Sequence, residues 1–206
     1  MHHKSYTLCH TNGSLALAMT ARLRTRQITG TAMMSALVVV FDYALKFAGV
    51  KIPFPLFPSM KFDLDGIPIV LALLLYGSYS ASATCFVAFA AILARSGLAL
   101  SAGMKALAEF GTIVGLVPFH RANPGGLRRI AIMSSVSSRV LFMVAATLAV
   151  WPLLFSSADA ALAFMPFLAG FNILAGAISI SGGYLVYKAL MRRAPSLLPS
   201  KRTQAE

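Results

Sequence analysis

Residues 29–48 read TGTAMMSALVVVFDYALKFA, twenty positions of which only Asp42 and Lys46 are charged. An α-helix rises ~1.5 Å per residue and the hydrocarbon layer is ~30 Å thick, so a run of this length and character reads as a membrane span. Outward from it, apolar runs recur at about Gly66 to Tyr79, Ala81 to Arg95, Met104 to Phe119, Ile130 to Phe155 and Leu162 to Leu190. The chain is 206 residues long, 58% hydrophobic and 12% charged, with mean hydropathy +0.76, which leaves no room for a separate soluble domain. The expected fold is therefore an all-α membrane protein, a six-transmembrane-helix bundle over 26–193. A flexible basic leader, 1–25, is expected before it and a cytoplasmic tail, 194–206, after it. The second and third runs are short and predict a tight hairpin around Gly77, with tilt or incomplete crossing.

The net charge of +12 arises from 18 Lys and Arg against 6 Asp and Glu. These cations sit in clusters between apolar runs, without the aromatic-interleaved basic face of a nucleic-acid binder, so the expected partner surface is the lipid bilayer. Counting alternate ends of six spans puts twelve on one side, among them Arg22, Arg24, Arg26, Arg128, Arg129, Arg192 and Arg193. Lys46, Lys51, Lys61, Arg95 and Lys105 fall on the other side, and Arg139 lies within a span. The positive-inside rule then makes both termini cytoplasmic and the loop from Gly49 to Asp65 a long first outer loop. Tyr43, Trp151 and Phe155 fall near outer span ends, as interface-seeking aromatics do.

An intramembrane enzyme is disfavoured and, with a purely structural membrane subunit, stands as a lesser alternative reading. No H-E-x-x-H, G-x-S-x-G, Walker or dinucleotide pattern occurs, and His2, His3, His10 and His120 all lie outside the spans. Cys9 and Cys85 make neither a disulfide framework nor a thiolate metal site, so no metal or cofactor is expected. Ionisable groups inside spans are costly and mark function or compensated pairs. Asp42 and Lys46, spaced i, i+4 with the acid first, predict a pair with each other. Glu109 and Arg139 fall at roughly 8 Å below the outer and 14 Å above the inner helix end at ~1.5 Å per residue, within reach of one another. A structural Glu109–Arg139 pair and a ligand-contacting Glu109 are both open readings and are compatible. Asn172 must find partners in a dry interior. Ala32 and Ala36 form an A-x-x-x-A face that permits close helix approach.

Ser59 to Pro68, SMKFDLDGIP, mixes charge, an aromatic and proline just before a short apolar run, a pattern suited to a lid over a bundle mouth that stacks on a small polar ligand. Six spans with both ends inside, the long outer loop, the A-x-x-x-A face and KFDLDGIP at Lys61 to Pro68 resemble the substrate-capture (S) components of energy-coupling factor (ECF) vitamin transporters. The last run is similar to the K-[IF]-D-x-x-x-[IV]-P of riboflavin-binding members. The resemblance covers about 26–193. It implies a prokaryotic cell-membrane subunit that captures a vitamin, riboflavin first, and delivers it with a transmembrane scaffold subunit and two cytoplasmic ATPases. It implies that Lys61, Phe62 and Asp63 close the vitamin site, that Asn172 contacts the ligand, with Glu109 as a further ligand-binding position, and that Ala32 and Ala36 dock on the scaffold. The family's Lys three residues after the Asn is Ala175 here, and Glu109 stands where such members often have Asn. Thiamine, a folate or a queuosine precursor are therefore the alternative ligands.

Overall fold

A computed structural model describes residues 4–49, 52–55, 57–122, 129–154 and 157–193. Six helices carry the fold: α1 (Lys4–Phe47), α2 (Gly66–Tyr76), α3 (Ser78–Ser96), α4 (Ala99–Ala122), α5 (Arg129–Leu154) and α6 (Ala158–Arg193). Five of them are long and apolar enough to cross a membrane, α1 through its segment Arg24–Phe47. The chain is a multi-pass membrane protein, and its surface agrees. Met33, Val40, Phe86, Leu141 and Leu185 are more than half exposed, while Asp42, Thr84, Thr112, Ser135 and Asn172 are buried. Polar groups inside and apolar groups outside is the distribution that hydrocarbon, not water, selects.

Three features differ from the sequence reading. The backbone is helical from Lys4, so α1 begins well before the span expected from about Thr29. The expected second span shrinks to α2, whose 11 residues cover ~16 Å, about half the hydrocarbon layer. The loop before it carries strands that the sequence reading did not anticipate. It folds as an antiparallel hairpin of β1 (Ile52–Phe54) and β2 (Phe57–Phe62), in the register Ile52↔Phe62 and Pro53↔Lys61. A two-stranded ribbon has only edge strands, which is where Pro53 and Pro58 are tolerated.

Pro68 to Leu75 of α2 are all buried, and Val38, Ala81, Ile113, Leu116 and Ile180 from four other helices join the same core cluster. Two glycines make the short connections. Gly77 at φ 90° separates α2 from α3, as the expected hairpin requires, and Gly97 at φ 67° caps α3, its N–H donating to Leu93 O at 2.9 Å.

Successive helices alternate in direction. Thr31 donates to Ser80 Oγ at 2.8 Å and Ser35 to Thr84 Oγ1 at 3.5 Å, so α1 and α3 run parallel, with α2 returning between them. Further along, Cys85 meets Ala106, Thr112 meets Ser135, and Arg139 meets Asn172. The start of the span in α1 and the end of α6 consequently lie at one end of the bundle, and the hairpin at the other.

Candidate functional site

Two polar clusters lie at and below the hairpin. The deeper one centres on Arg139 of α5, 4% exposed. Its Nη1 donates to Glu109 Oε1 at 2.9 Å and to Thr112 Oγ1 at 3.0 Å, both on α4, and its Nε donates to Asn172 Oδ1 of α6 at 3.2 Å. Asn172 Nδ2 donates back to Leu168 O at 2.9 Å, and the Thr112 hydroxyl donates to Ala108 O at 3.1 Å. The Glu109–Arg139 pair expected from depth is thus formed, and Asn172 finds its interhelical partner in the same guanidinium. Glu109 Oε2 has no hydrogen-bond partner among the described residues although it is buried. It lies against Gly66, the first residue of α2, where a Cβ would come within 2.6 Å of it and would also strike Ser179 Oγ. Helix α2 therefore presents its N-terminus, with its partial positive charge, to the free carboxylate oxygen.

The shallower cluster forms where the hairpin enters the bundle. Lys105 of α4 pairs with Asp63 at 2.6 Å, with Asp65, and with Asp42 of α1 at 3.4 Å. Arg95 of α3 holds Asp42 from the other side, Nε to Oδ2 at 2.6 Å and Nη2 to Oδ1 at 3.2 Å. The expected Asp42–Lys46 pair is thereby corrected: Lys46 is exposed in the last turn of α1, and the buried carboxylate takes its cations from two other helices. Burial pushes the Asp65 carboxyl up from 3.8 to about 6, with Lys105 pulling the other way. Asp65 Oδ1 is buried without a hydrogen bond among the described residues.

An aromatic cluster joins the two levels. Phe62 packs on Phe171 with ring centroids 5.0 Å apart, and Phe54 meets both edge-on, at 5.9 Å and 5.7 Å. Phe171 immediately precedes Asn172, so the hairpin seats one residue from the deeper cluster. Of the expected ligand contacts, Phe62 is half-buried in this stack, Asp63 is engaged by Lys105, Glu109 and Asn172 share Arg139, and Lys61 is exposed. Ala32 and Ala36 sit together on the exposed face of α1. Ala175 is buried on α6.

Lys105, Arg95 and Phe54 were not singled out as site residues from the sequence, and Asp65 only as part of the charged run before α2. Lys105 was readable as an end-of-helix cation because the apolar run begins at Met104, but α4 begins at Ala99 and carries Lys105 six residues into the helix. Its isolation in an otherwise uncharged stretch was the available signal.

No protein-family model matches this chain, and no curated protein matches it either. Among solved structures it is similar to the S component of a bacterial ECF transporter, with a TM-score of 0.68 and 17% identity, over 82% of this chain and 97% of that one. The two proteins share a fold.

Proposed function

We propose that the protein is the substrate-binding S component of an ECF-type importer in a prokaryotic cell membrane, with both termini cytoplasmic and the β1–β2 hairpin outside. It captures a vitamin beneath the hairpin and, carrying no ATP-binding signature, relies on a transmembrane scaffold and two cytoplasmic ATPases for transport. Riboflavin is the leading ligand. The observation that carries this reading is that Phe62, Asn172 and Glu109 meet in one region of an S-component-like fold: Phe62 stacks on Phe171, whose neighbour Asn172 shares Arg139 with Glu109. A planar heterocycle entering there would meet aromatic faces, and Glu109 Oε2 and Asp65 Oδ1 are acceptors suited to its N–H groups.

A non-enzymatic role agrees with the likeness to a transporter subunit, and the Glu109 carboxylate is neutralised by Arg139. The test is purification in detergent followed by absorbance and fluorescence for a co-purifying flavin, then titration with riboflavin. Flavin fluorescence quenched on binding with nanomolar affinity is the expected result. A colourless protein indifferent to riboflavin, thiamine, folates and queuosine precursors alike would refute vitamin capture.

A further inference from the structure

We propose that Thr147 of α5 is a further ligand-contacting residue, whose hydroxyl takes up an uncharged, hydroxyl-bearing side chain of a ligand with its ring at Phe171 and Glu109. The inference rests on the reading of this end of the bundle as the vitamin site and adds the chemical class of the ligand's substituent. Thr147 is 1% exposed, and its Oγ1 has no hydrogen-bond partner among the described residues. Thr31, Thr84 and Thr112 each donate to the carbonyl four residues back in their own helix, which is how a helical threonine satisfies its hydroxyl without outside help. Thr147 leaves that bond unmade and carries the cost of a buried, unpaired hydroxyl.

Position ties this hydroxyl to the site. Ser135, Arg139, Met143 and Thr147 are spaced by four and all buried, so they form one inward row along α5. Arg139 meets Asn172 of α6, and Met143 shares an apolar cluster with Leu168, so the antiparallel register brings Thr147 to the level of Phe164. Eight residues at ~1.5 Å each place Thr147 roughly 12 Å nearer the hairpin end than Arg139 along the helix, a reach that a ring with a short side chain covers. On α4, Gly111 lies against the Arg139 backbone, so Gly103, eight residues outward, comes to the level of Thr147; nothing stands within 4 Å of the place its Cβ would take. The intervening cluster contains Met143, with Met104 and Met165 packed on it. Unbranched methionines fill such space without a ligand and change rotamer to admit one. A threonine hydroxyl is neutral and both donates and accepts, so its match is another hydroxyl; a carboxylate or phosphate brought into these methionines would be a charge among apolar side chains.

Riboflavin and lumiflavin share a ring system, and lumiflavin lacks the hydroxylated chain, so the two separate a contact to that chain from a general change in the site. Both are titrated by fluorescence quenching against the full-length protein in detergent. T147V is expected to raise the Kd for riboflavin about fivefold and to leave that for lumiflavin within about twofold, and T147S should bind both as the parent does. Ligand-free T147V should melt at the parent's temperature or above it, because an unpaired hydroxyl has been removed. Unchanged riboflavin affinity overturns the contact, as does an equal loss for both flavins. A lower melting temperature of ligand-free T147V also overturns it, since the hydroxyl would then have a partner within the protein. A parent chain that binds neither flavin refutes the riboflavin reading, and this inference with it, whereas a parent that binds riboflavin and a T147V that binds it equally refutes this inference alone. If T147V does not fold, T147A carries the same comparison of the two flavins.

Discussion

Arg139 has its charge compensated by one carboxylate, Glu109, and by the dipoles of Thr112 and Asn172, all within a membrane-embedded bundle. Such a pair contributes little relative to an apolar replacement, but breaking it from one side is expensive because the remaining charge is stranded. R139M should therefore lower the stability of the detergent-solubilised protein by about 3–5 kcal/mol, and E109Q/R139M should recover a large part of that loss. Chemical unfolding of the four proteins of this double-mutant cycle measures it. A double mutant as unstable as R139M would show that Glu109 is not the charge Arg139 serves. Part of this residue-level picture was legible in advance: helical depth brought Glu109 and Arg139 to heights that long side chains can bridge. The Asp42–Lys46 expectation failed because sequence spacing sees only neighbours on one helix, whereas a buried carboxylate takes the cations that other helices deliver.

Among the elements, α4 and α5 approach closely at Gly115, where a Cβ would stand 2.5 Å from Ser135 Cα and 2.7 Å from Ser134 O. Those are backbone atoms and cannot swing aside, so G115A should destabilise by about 1–3 kcal/mol through forced separation of the helices. Gly103, on the same helix, has open space where its Cβ would be, so G103A should be neutral or stabilise by up to about 1 kcal/mol through helix propensity. Thermal unfolding of the two variants in the same detergent compares them; equal effects would mean that the close approach is not what limits the site. Helix α2 is half a span because the segment from Asp63 to Asp65 descends into the bundle before the helix starts. That leaves the Gly66 end of α2 facing Glu109 and not the membrane surface.

At the scale of the whole molecule, the alternation of direction brings both ends of the bundle-forming chain to the side away from the hairpin. On the proposed reading, the lid and the basic cytoplasmic clusters then lie on opposite faces of the membrane. Ala32 and Ala36 are exposed on α1, so on the proposed reading capture and docking are separable. A32R/A36R should abolish uptake in cells supplied with the scaffold and ATPases while leaving the affinity of the purified protein for riboflavin within about twofold. Loss of binding by the isolated variant would count against a docking role for that face.

The sequence by itself determined the solvent, the helices and their number, because hydrocarbon forces every crossing segment to satisfy its own backbone and so writes each span as a continuous apolar run. It also indicated which polar residues had to be compensated. It did not reveal the β1–β2 hairpin, whose prolines disguise strand alternation, nor how deeply α2 begins, nor that Lys105 gathers Asp42, Asp63 and Asp65. Those were decided by tertiary structure, since they depend on which side chains from distant parts of the chain reach the same buried point, and a one-dimensional pattern of hydropathy carries no record of that distance.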